Sequence, residues 1–430
     1  MTLVEKGLLG GTCVHVGCVP SKALLRSAEA LHRAAHHPFA GVQTRAEGAS
    51  LSAIAEQRDA LIAQLQREKY ASVLQSAGVS LIRGAASFLS PESLSVQGKT
   101  YRADKFLLAT GSLAAWPDIP GLRSSQPWTY VEAFSAKTLP KTLLVLGGGA
   151  VGLELAQAFA RLGSKVTVLE AAERLLSAED PEVSHALREY LEDEGIAVHT
   201  GLQVGAVRRD SEFQVITSSG NYAAEQLLVA AGRRPHTEGL GLQAAGVELG
   251  SRGEISVNAR LETSNPRIFA AGDGAGFPQF VYVAAQSGRI AAKNALGGAE
   301  ELDFRVVPRV TFTDPAVAAV GLSEEQARQV SGEGVRVARL PLRQLPKALV
   351  QHDDRGLFKL VVDREGKVLG LSVLAQEAGD ALQEAVLAVK FGLNYQDLIQ
   401  TYHPYLTLAE GIRLVAQALD TEVGKLSCCA

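Results

Sequence analysis

Across residues 51–75 the apolar positions return every three or four residues, the period of a helix with one buried face, and residues 23–36 follow the same rule. Elsewhere short apolar-rich runs read as strands, that at 142–146 as a buried one. Such runs fall at 79–83, 106–109, 142–146 and 165–170. The run at 142–146 enters a glycine-rich turn, then a helical pattern to Leu162, then the run at 165–170, which together make a strand–helix–strand unit continuing to Gly232. Residues 117–140, with four prolines, separate this unit from the one before it. From about Pro308 the character changes. Strands are expected near 310–312, 358–362 and 368–373, with the turn Asp363-Arg-Glu-Gly366 joining the last two as a hairpin, and helices at 380–391, 394–401 and 407–418. The expected fold class is therefore α/β, with two Rossmann-like dinucleotide-binding domains and an α+β C-terminal domain.

The bulk numbers narrow the partners. At about 150 residues per domain, 430 residues suggest three domains. A net charge of -4 with no basic block argues against nucleic acid or an anionic membrane surface. The most apolar stretch, 142–160, carries four glycines and Glu154, so it predicts strand, turn and helix rather than a membrane span. With no signal peptide visible, the cytoplasm is the expected compartment.

The turn is Gly147-x-Gly149-x-x-Gly152. Glycine lets the backbone approach a pyrophosphate closely, and the helix N-terminus then turns its partial positive charge to the phosphates. The next strand ends in Glu170, where a ribose-binding acid belongs. A carboxylate there accepts from a ribose 2′-OH and repels a 2′-phosphate, and Ala171 and Ala172 follow instead of arginine. NADH is therefore expected over NADPH, with Arg174 the one nearby side chain that could reach a 2′-phosphate.

Only four cysteines occur, in two tight pairs: Cys13 with Cys18, and Cys428 with Cys429. Two clusters in a long chain suggest redox or metal chemistry rather than a disulfide scaffold. Pro20 suits the start of a helix, so Cys18 is expected at a helix N-terminus, where a thiolate is stabilised, with Lys22 one turn on. Two buried structural thiols would need neither this spacing nor the flanking glycines.

Gly10-Gly-Thr-Cys13-Val-His-Val-Gly-Cys18-Val-Pro-Ser-Lys22 resembles the redox-disulfide motif of the FAD-dependent pyridine nucleotide–disulfide oxidoreductases, and the chain as a whole is most similar to their mercuric reductase branch. The resemblance implies a FAD domain at 1–125 with a return segment at 246–305, an NAD(P) domain at 126–245 and a dimerisation domain at 306–430. It places FAD against Glu5, Gly11, Thr12, Lys22, Ala109-Thr110-Gly111 and Gly272-Asp273, and NAD(P) against Gly147, Gly149, Gly152 and Glu170. It makes Cys18 the thiolate beside the flavin, Cys13 the interchange thiol, and Lys22 the partner of Glu154. His15 stands where the family usually has asparagine.

Most such enzymes end in His-Pro-Thr-x-x-Glu, whose histidine serves the thiol substrate. Aligned on Thr407 and Glu410, this chain has Tyr405 there, and a phenol, which ordinarily ionises only near pH ~10, is a poor proton shuttle. His403 lies seven residues before Glu410 instead of five, so it is set aside as a decoy. Tyr405, a second tyrosine at Tyr70 and the terminal Cys428-Cys429 pair all fit the mercuric reductase branch, and soft thiolates select soft metal ions. The implied activity is reduction of Hg(II), arriving as thiol complexes, to Hg(0). The resemblance has NAD(P)H reduce FAD, FAD reduce Cys13–Cys18, and the partner subunit's tail cysteines pass the ion to that pair in a homodimer with a shared site, so Cys13, Cys18, Cys428 and Cys429 are the expected mercury ligands.

The family's opening strand and glycine turn for the FAD pyrophosphate are absent ahead of Met1, as is a separate metal-binding domain. The expectation is a start assigned late or a truncated chain, with FAD binding weakened if Met1 is the true start. Three alternatives stay open: a thioredoxin reductase-like enzyme with a terminal dithiol, a lipoamide dehydrogenase-like enzyme, and a flavin-free truncated metal-binding or dimerisation module. The first two would retain the histidine that Tyr405 replaces.

Overall fold

Seven sheets, grouped in three units, make up the described part of the computed structural model, residues 1–425. The middle of the chain forms a four-stranded parallel sheet in the order Ala197–His199, Lys165–Leu169, Thr142–Leu146, Gln226–Val229. Two of its strands, Lys165–Leu169 and Thr142–Leu146, are apolar runs of the sequence, and Leu143, Val145 and Val168 are almost wholly buried. The helix Ala150–Leu162 crosses one face, and an antiparallel three-stranded sheet, Val204–Arg209, Phe213–Thr217 and Gly220–Ala224, sits on the same unit. Arg233–Pro235 then pairs antiparallel with Ser112–Ala114, stitching this unit to the preceding one.

That preceding unit is built from two parallel strand pairs, Thr2–Glu5 with Ser80–Arg83 and Phe106–Leu108 with Ile268–Ala270, and a three-stranded meander between residues 86 and 102. Its return strand, Ile268–Ala270, leads through the tight turn Gly272–Ala275 into the helix Val281–Ala295. The C-terminal unit is a five-stranded antiparallel sheet, Arg309–Thr311, Ala316–Gly321, Val368–Ala375, Leu357–Val362, Arg336–Pro341, backed by Ala378–Phe391 and Glu410–Gln417. The α/β class with two dinucleotide-binding units and an α+β unit is the observed one.

Two local departures bear on chemistry. The helix expected to open at Pro20 begins two residues earlier, at Cys18, and a separate short helix, Gly11–Val16, precedes it. Pro20 still lies in the first turn, where its missing N–H costs nothing. The single helix expected over 51–75 is Leu51–Leu65 followed by a π turn, Gln66–Ala71, and a last turn, Ser72–Ser76. A π turn inserts a residue and re-aims the side chains beyond it, and it is a frequent mark of functional positions. Here it carries Tyr70.

Candidate active site

Cys13 lies in the short helix and Cys18 opens the next one, so the two thiols are separated by a single reversal at Gly17. No side chain fits at Gly17: a Cβ there would fall 2.8 Å from the Thr12 carbonyl oxygen. Both cysteines are half-buried with free thiols. The Cys13 thiol donates to Cys18, and this bond holds the Cys18 thiol down to about 6 against the opposing effect of burial, with the Lys22 ammonium adding to it. The same bond, reinforced by burial, pushes Cys13 well above the ordinary thiol range. Near neutral pH the pair is thus one thiolate, Cys18, and one thiol, Cys13.

Lys22 Nζ lies 2.7 Å from Glu154 Oε2, and the Glu154 carboxylate is buried on the helix of the middle unit. Its other oxygen accepts from the Phe312 N–H at 3.0 Å, and the Phe312 ring lies 4.2 Å from Lys22 Nζ. One residue of the C-terminal unit therefore grips both members of an ion pair contributed by the other two. Tyr70 packs against the turn before the redox helices: its ring would be 3.4 Å from a Cβ on Gly10. Burial, then the charges on Cys13 and Cys18, push its phenol up, so it stays a neutral donor. His15 Nε2 lies 2.6 Å from the Leu9 carbonyl oxygen and pins the same turn. Tyr282, in the first turn of Val281–Ala295, donates to the Pro308 carbonyl; burial pushes it up to about 12, with the Cys18 charge adding to the rise.

The middle unit opens a cleft of about 630 Å³ at the ends of its strands, lined by Gly147, Gly148, Gly149, Glu170, Ala231 and Gly232 among others. Gly147, at φ 118°, has the Ala230 carbonyl where a Cβ would sit, and Gly152 has the Gly147 carbonyl there, so the turn tolerates glycine alone. Glu170 accepts from the Gly148 N–H and from the Ala172 N–H, the latter at 2.7 Å. Among the described residues Glu170 is the one charged side chain in the cleft lining, while Arg174 donates to the carbonyl oxygen of Ser177, at the cleft's edge, at 2.9 Å.

The sequence profile described as pyridine nucleotide-disulphide oxidoreductase matches residues 1–288, and that of the dimerisation domain of the same enzymes matches residues 307–416. The chain belongs to the pyridine nucleotide-disulphide oxidoreductase family. Among curated relatives, a mercuric reductase of Staphylococcus aureus is 44% identical over all of this chain and 80% of its own length, and one of Streptomyces lividans is 46% identical over all of this chain and 93% of its own. Among solved structures, the HOCl-induced flavoprotein disulfide reductase RclA of Escherichia coli superposes with a TM-score of 0.86 at 28% identity, covering 97% of this chain and 94% of that one. LpdA of Mycobacterium tuberculosis gives 0.87 at 29%, covering 98% and 94%.

The family is one of FAD-binding flavoproteins, and the residues of this oxidoreductase fit that group. Thr110 Oγ1 is buried with no hydrogen-bond partner among the described residues, beside the tight turn at Gly272–Ala275. Asp273 accepts from Ser112 Oγ at 2.6 Å and pairs with Arg233 at 3.2 Å, and Glu5 accepts from the Gly7 N–H at 2.7 Å. Ala109 and Gly111 flank Thr110, and Gly11 and Thr12 open the first redox helix.

Tyr405 and Glu410 belong to the C-terminal unit. Glu410 is buried and accepts from the Leu406 N–H at 3.3 Å, so it braces the turn that displays Tyr405, whose residue surface is half open. Cys428 and Cys429 lie outside the described residues. No helix among the described residues is long and apolar enough to cross a membrane. Sequence reasoning missed Phe312 and Tyr282. An aromatic after a strand carries no signal of a partner more than a hundred residues away, although Phe280 and Tyr282 at a helix start were visible as an unusual aromatic pair.

Proposed function

We propose that this oxidoreductase reduces Hg(II) to Hg(0) with NADH: Hg²⁺ and NADH give Hg⁰, NAD⁺ and H⁺. The observation that carries the reading is the company of the Cys18 thiolate, which has a neutral phenol, Tyr70, close by, while a second phenol, Tyr405, holds the position where thiol-reducing relatives need an imidazole. Imidazole moves protons between thiols at neutral pH, whereas an un-ionised phenol is a poor shuttle there, which favours exchange of a soft metal between thiolates over thiol–disulfide chemistry. FAD held by Glu5, Gly11, Thr12, Thr110 and Asp273 would supply the two-electron link between nicotinamide and dithiol.

The protein's own groups have defined tasks in this reading. Glu170 receives the coenzyme ribose, and the glycine turn with the N-terminus of Ala150–Leu162 receives the pyrophosphate. Lys22, neutralised in part by Glu154, keeps positive charge beside Cys18 so that it binds metal as thiolate. Cys13 loses its proton on binding the ion, since metal ligation requires the thiolate. Cys428 and Cys429 deliver Hg(II) from its thiol complexes. Delivery across a homodimer is supported by the dimerisation domain and by its exposed apolar surface, with Phe391 66% and Tyr402 99% exposed. A cytoplasmic setting suits a reaction that draws on NADH and thiol-bound metal.

The test is titration of NADH oxidation by the flavin-loaded protein with Hg(II), with oxidised thioredoxin and with lipoamide. Hg(II)-dependent oxidation is expected. Turnover with a disulfide and none with Hg(II) would replace this reading with a disulfide reductase.

A further inference from the structure

The sequence Tyr402-His403-Pro404-Tyr405 alternates outward and inward. Tyr402 is 99% exposed and Tyr405 51%, while the His403 side chain between them is only 3% exposed. Both of its ring nitrogens face acceptors. Nε2 lies 2.9 Å from each oxygen of Glu384, on the helix Ala378–Phe391, and Nδ1 lies 3.0 Å from the Thr401 carbonyl oxygen. A neutral imidazole could satisfy one of these directions; only the doubly protonated ring donates to both. Around it the loop is knotted twice more, by Thr407 Oγ1 donating to the Pro404 carbonyl at 2.7 Å and by Glu410 accepting from Leu406, which sits in the left-handed region at φ 61°. That strained residue directly follows Tyr405.

We propose that His403 is a positioning residue: as an imidazolium clamped to Glu384 it anchors the 401–410 loop and so sets where the Tyr405 phenol is presented. The inference rests on the reading of Tyr405 as a mercury-site phenol. His403 is not the acid–base histidine of thiol-reducing relatives, because its two nitrogens are committed inward. The charged groups facing it are Glu384, which raises its proton affinity, and Arg413 on the helix Glu410–Gln417, which opposes; the Glu384 bond leads and burial works against it. With the folded pKa raised, the clamp is complete below the ordinary histidine value near 6.5 and is lost as pH rises through the folded value.

The experiment compares wild type, His403→Phe, His403→Gln and Glu384→Gln as flavin-loaded full-length proteins, with two readouts. Hydrogen exchange of the 401–410 peptide, corrected for intrinsic rates, should show protection in wild type that falls with rising pH. Protection should be low at every pH in both His403 variants, and in Glu384→Gln it should fall at a lower pH than in wild type. Hg(II)-dependent turnover relative to NADH-dependent reduction of a small electron acceptor should drop about tenfold in His403→Gln, a loss of ~1.4 kcal/mol of positioning. In wild type and Glu384→Gln, which keep His403, the alkaline limb of Hg(II) turnover should move with the exchange profile. Exchange in the loop that is independent of pH and of residue 403 would overturn the clamp, whatever the turnover shows. Intact pH-dependent exchange with no Hg(II) turnover in wild type would leave the clamp standing and remove the mercury reading.

Discussion

On the proposed preference for NADH, glutamine at position 170 should turn this oxidoreductase towards NADPH. The Glu170 carboxylate is held by two backbone N–H groups, from Gly148 and Ala172, so it cannot swing away from a 2′ substituent without abandoning both. Among the described residues Glu170 is the one charged side chain lining the cleft, which leaves no lysine or arginine there to offset it. At about 5 Å and an effective dielectric constant of about 40, each negative charge on a 2′-phosphate meets ~1.7 kcal/mol of repulsion. A phosphate carrying roughly 1.5 to 2 charges therefore meets about 3 kcal/mol, on the order of a hundredfold in discrimination. Glutamine keeps the shape and one acceptor oxygen but removes the charge. NADH also loses the charge-assisted part of its 2′-OH hydrogen bond, about 1 kcal/mol or roughly fivefold. The ratio of kcat/KM for NADH to that for NADPH should therefore fall by some hundreds-fold, on the order of 10² to 10³. Initial rates with each coenzyme at saturating acceptor measure it. A wild type that already prefers NADPH, or a ratio in the variant within about threefold of wild type, would refute the assignment.

Three further outcomes are expected from the geometry. Alkylation of the reduced Cys13→Ser protein by iodoacetamide should report Cys18 ionising with a midpoint near 6, its stabilising bond now donated by the serine hydroxyl; a midpoint in the ordinary thiol range would contradict the acid-thiolate assignment. Phe312→Leu keeps the N–H on Glu154 but deletes the ring under Lys22, a cation–π contact worth ~0.5–1 kcal/mol at a part-exposed site; flavin reduction by NADH should slow about threefold and recover in Phe312→Tyr, and equal rates in all three proteins would remove the ring from the mechanism. Lys359, 5% exposed at its side chain, joins Asp180, Glu182 and Glu324, so Lys359→Met strands a buried carboxylate and should cost ~3 kcal/mol, read as a lower thermal midpoint. Burial opposes ionisation of Glu324, yet Lys359, Arg328 and Arg339 hold it down to about 2, so its contribution is complete above the ordinary carboxylate range and is lost as pH falls towards 2; in the variant that acid loss should be smaller and end at higher pH.

How much of this was legible in the sequence depended on whether the signal was local. The strand Thr142–Leu146 and the helix ending at Leu162 sit where the periodicity put them, because strand, glycine turn and helix are contiguous and each residue's neighbours enforce the same outcome. The same holds for the hairpin of Leu357–Val362 and Val368–Ala375. The helix over 51–75 was legible in extent but not in phase. One inserted residue at the π turn changes which side chain faces the redox turn, and a window of apolar periodicity averages over that change. The strand Ala316–Gly321, although at the heart of the C-terminal sheet, escaped notice because alanine and glycine give it no contrast with a loop.

The site itself is assembled from residues that no local window contains. Lys22 and Glu154 are 132 positions apart, and Glu154 and Phe312 are 158 apart, yet a single carboxylate joins them. Each of the three comes from a different unit of the chain, so the ion pair and the Phe312 contacts that hold both its members are complete only when all three units have docked. The motif around Cys13 and Cys18 announces chemistry, and their spacing across Gly17 is enough to place the two thiols together. The motif leaves open the ordering of the two thiols' acidities, which depends on the Cys13–Cys18 bond and on an ammonium held in position from outside the motif. His403 teaches the same lesson from the other side. By spacing alone it is a histidine two residues out of place; by contact it is buried, with both ring nitrogens committed to Glu384 and the Thr401 carbonyl. Its placement between two displayed tyrosines makes the loop, rather than any single residue of it, the unit on which selection for a soft metal over a thiol would act.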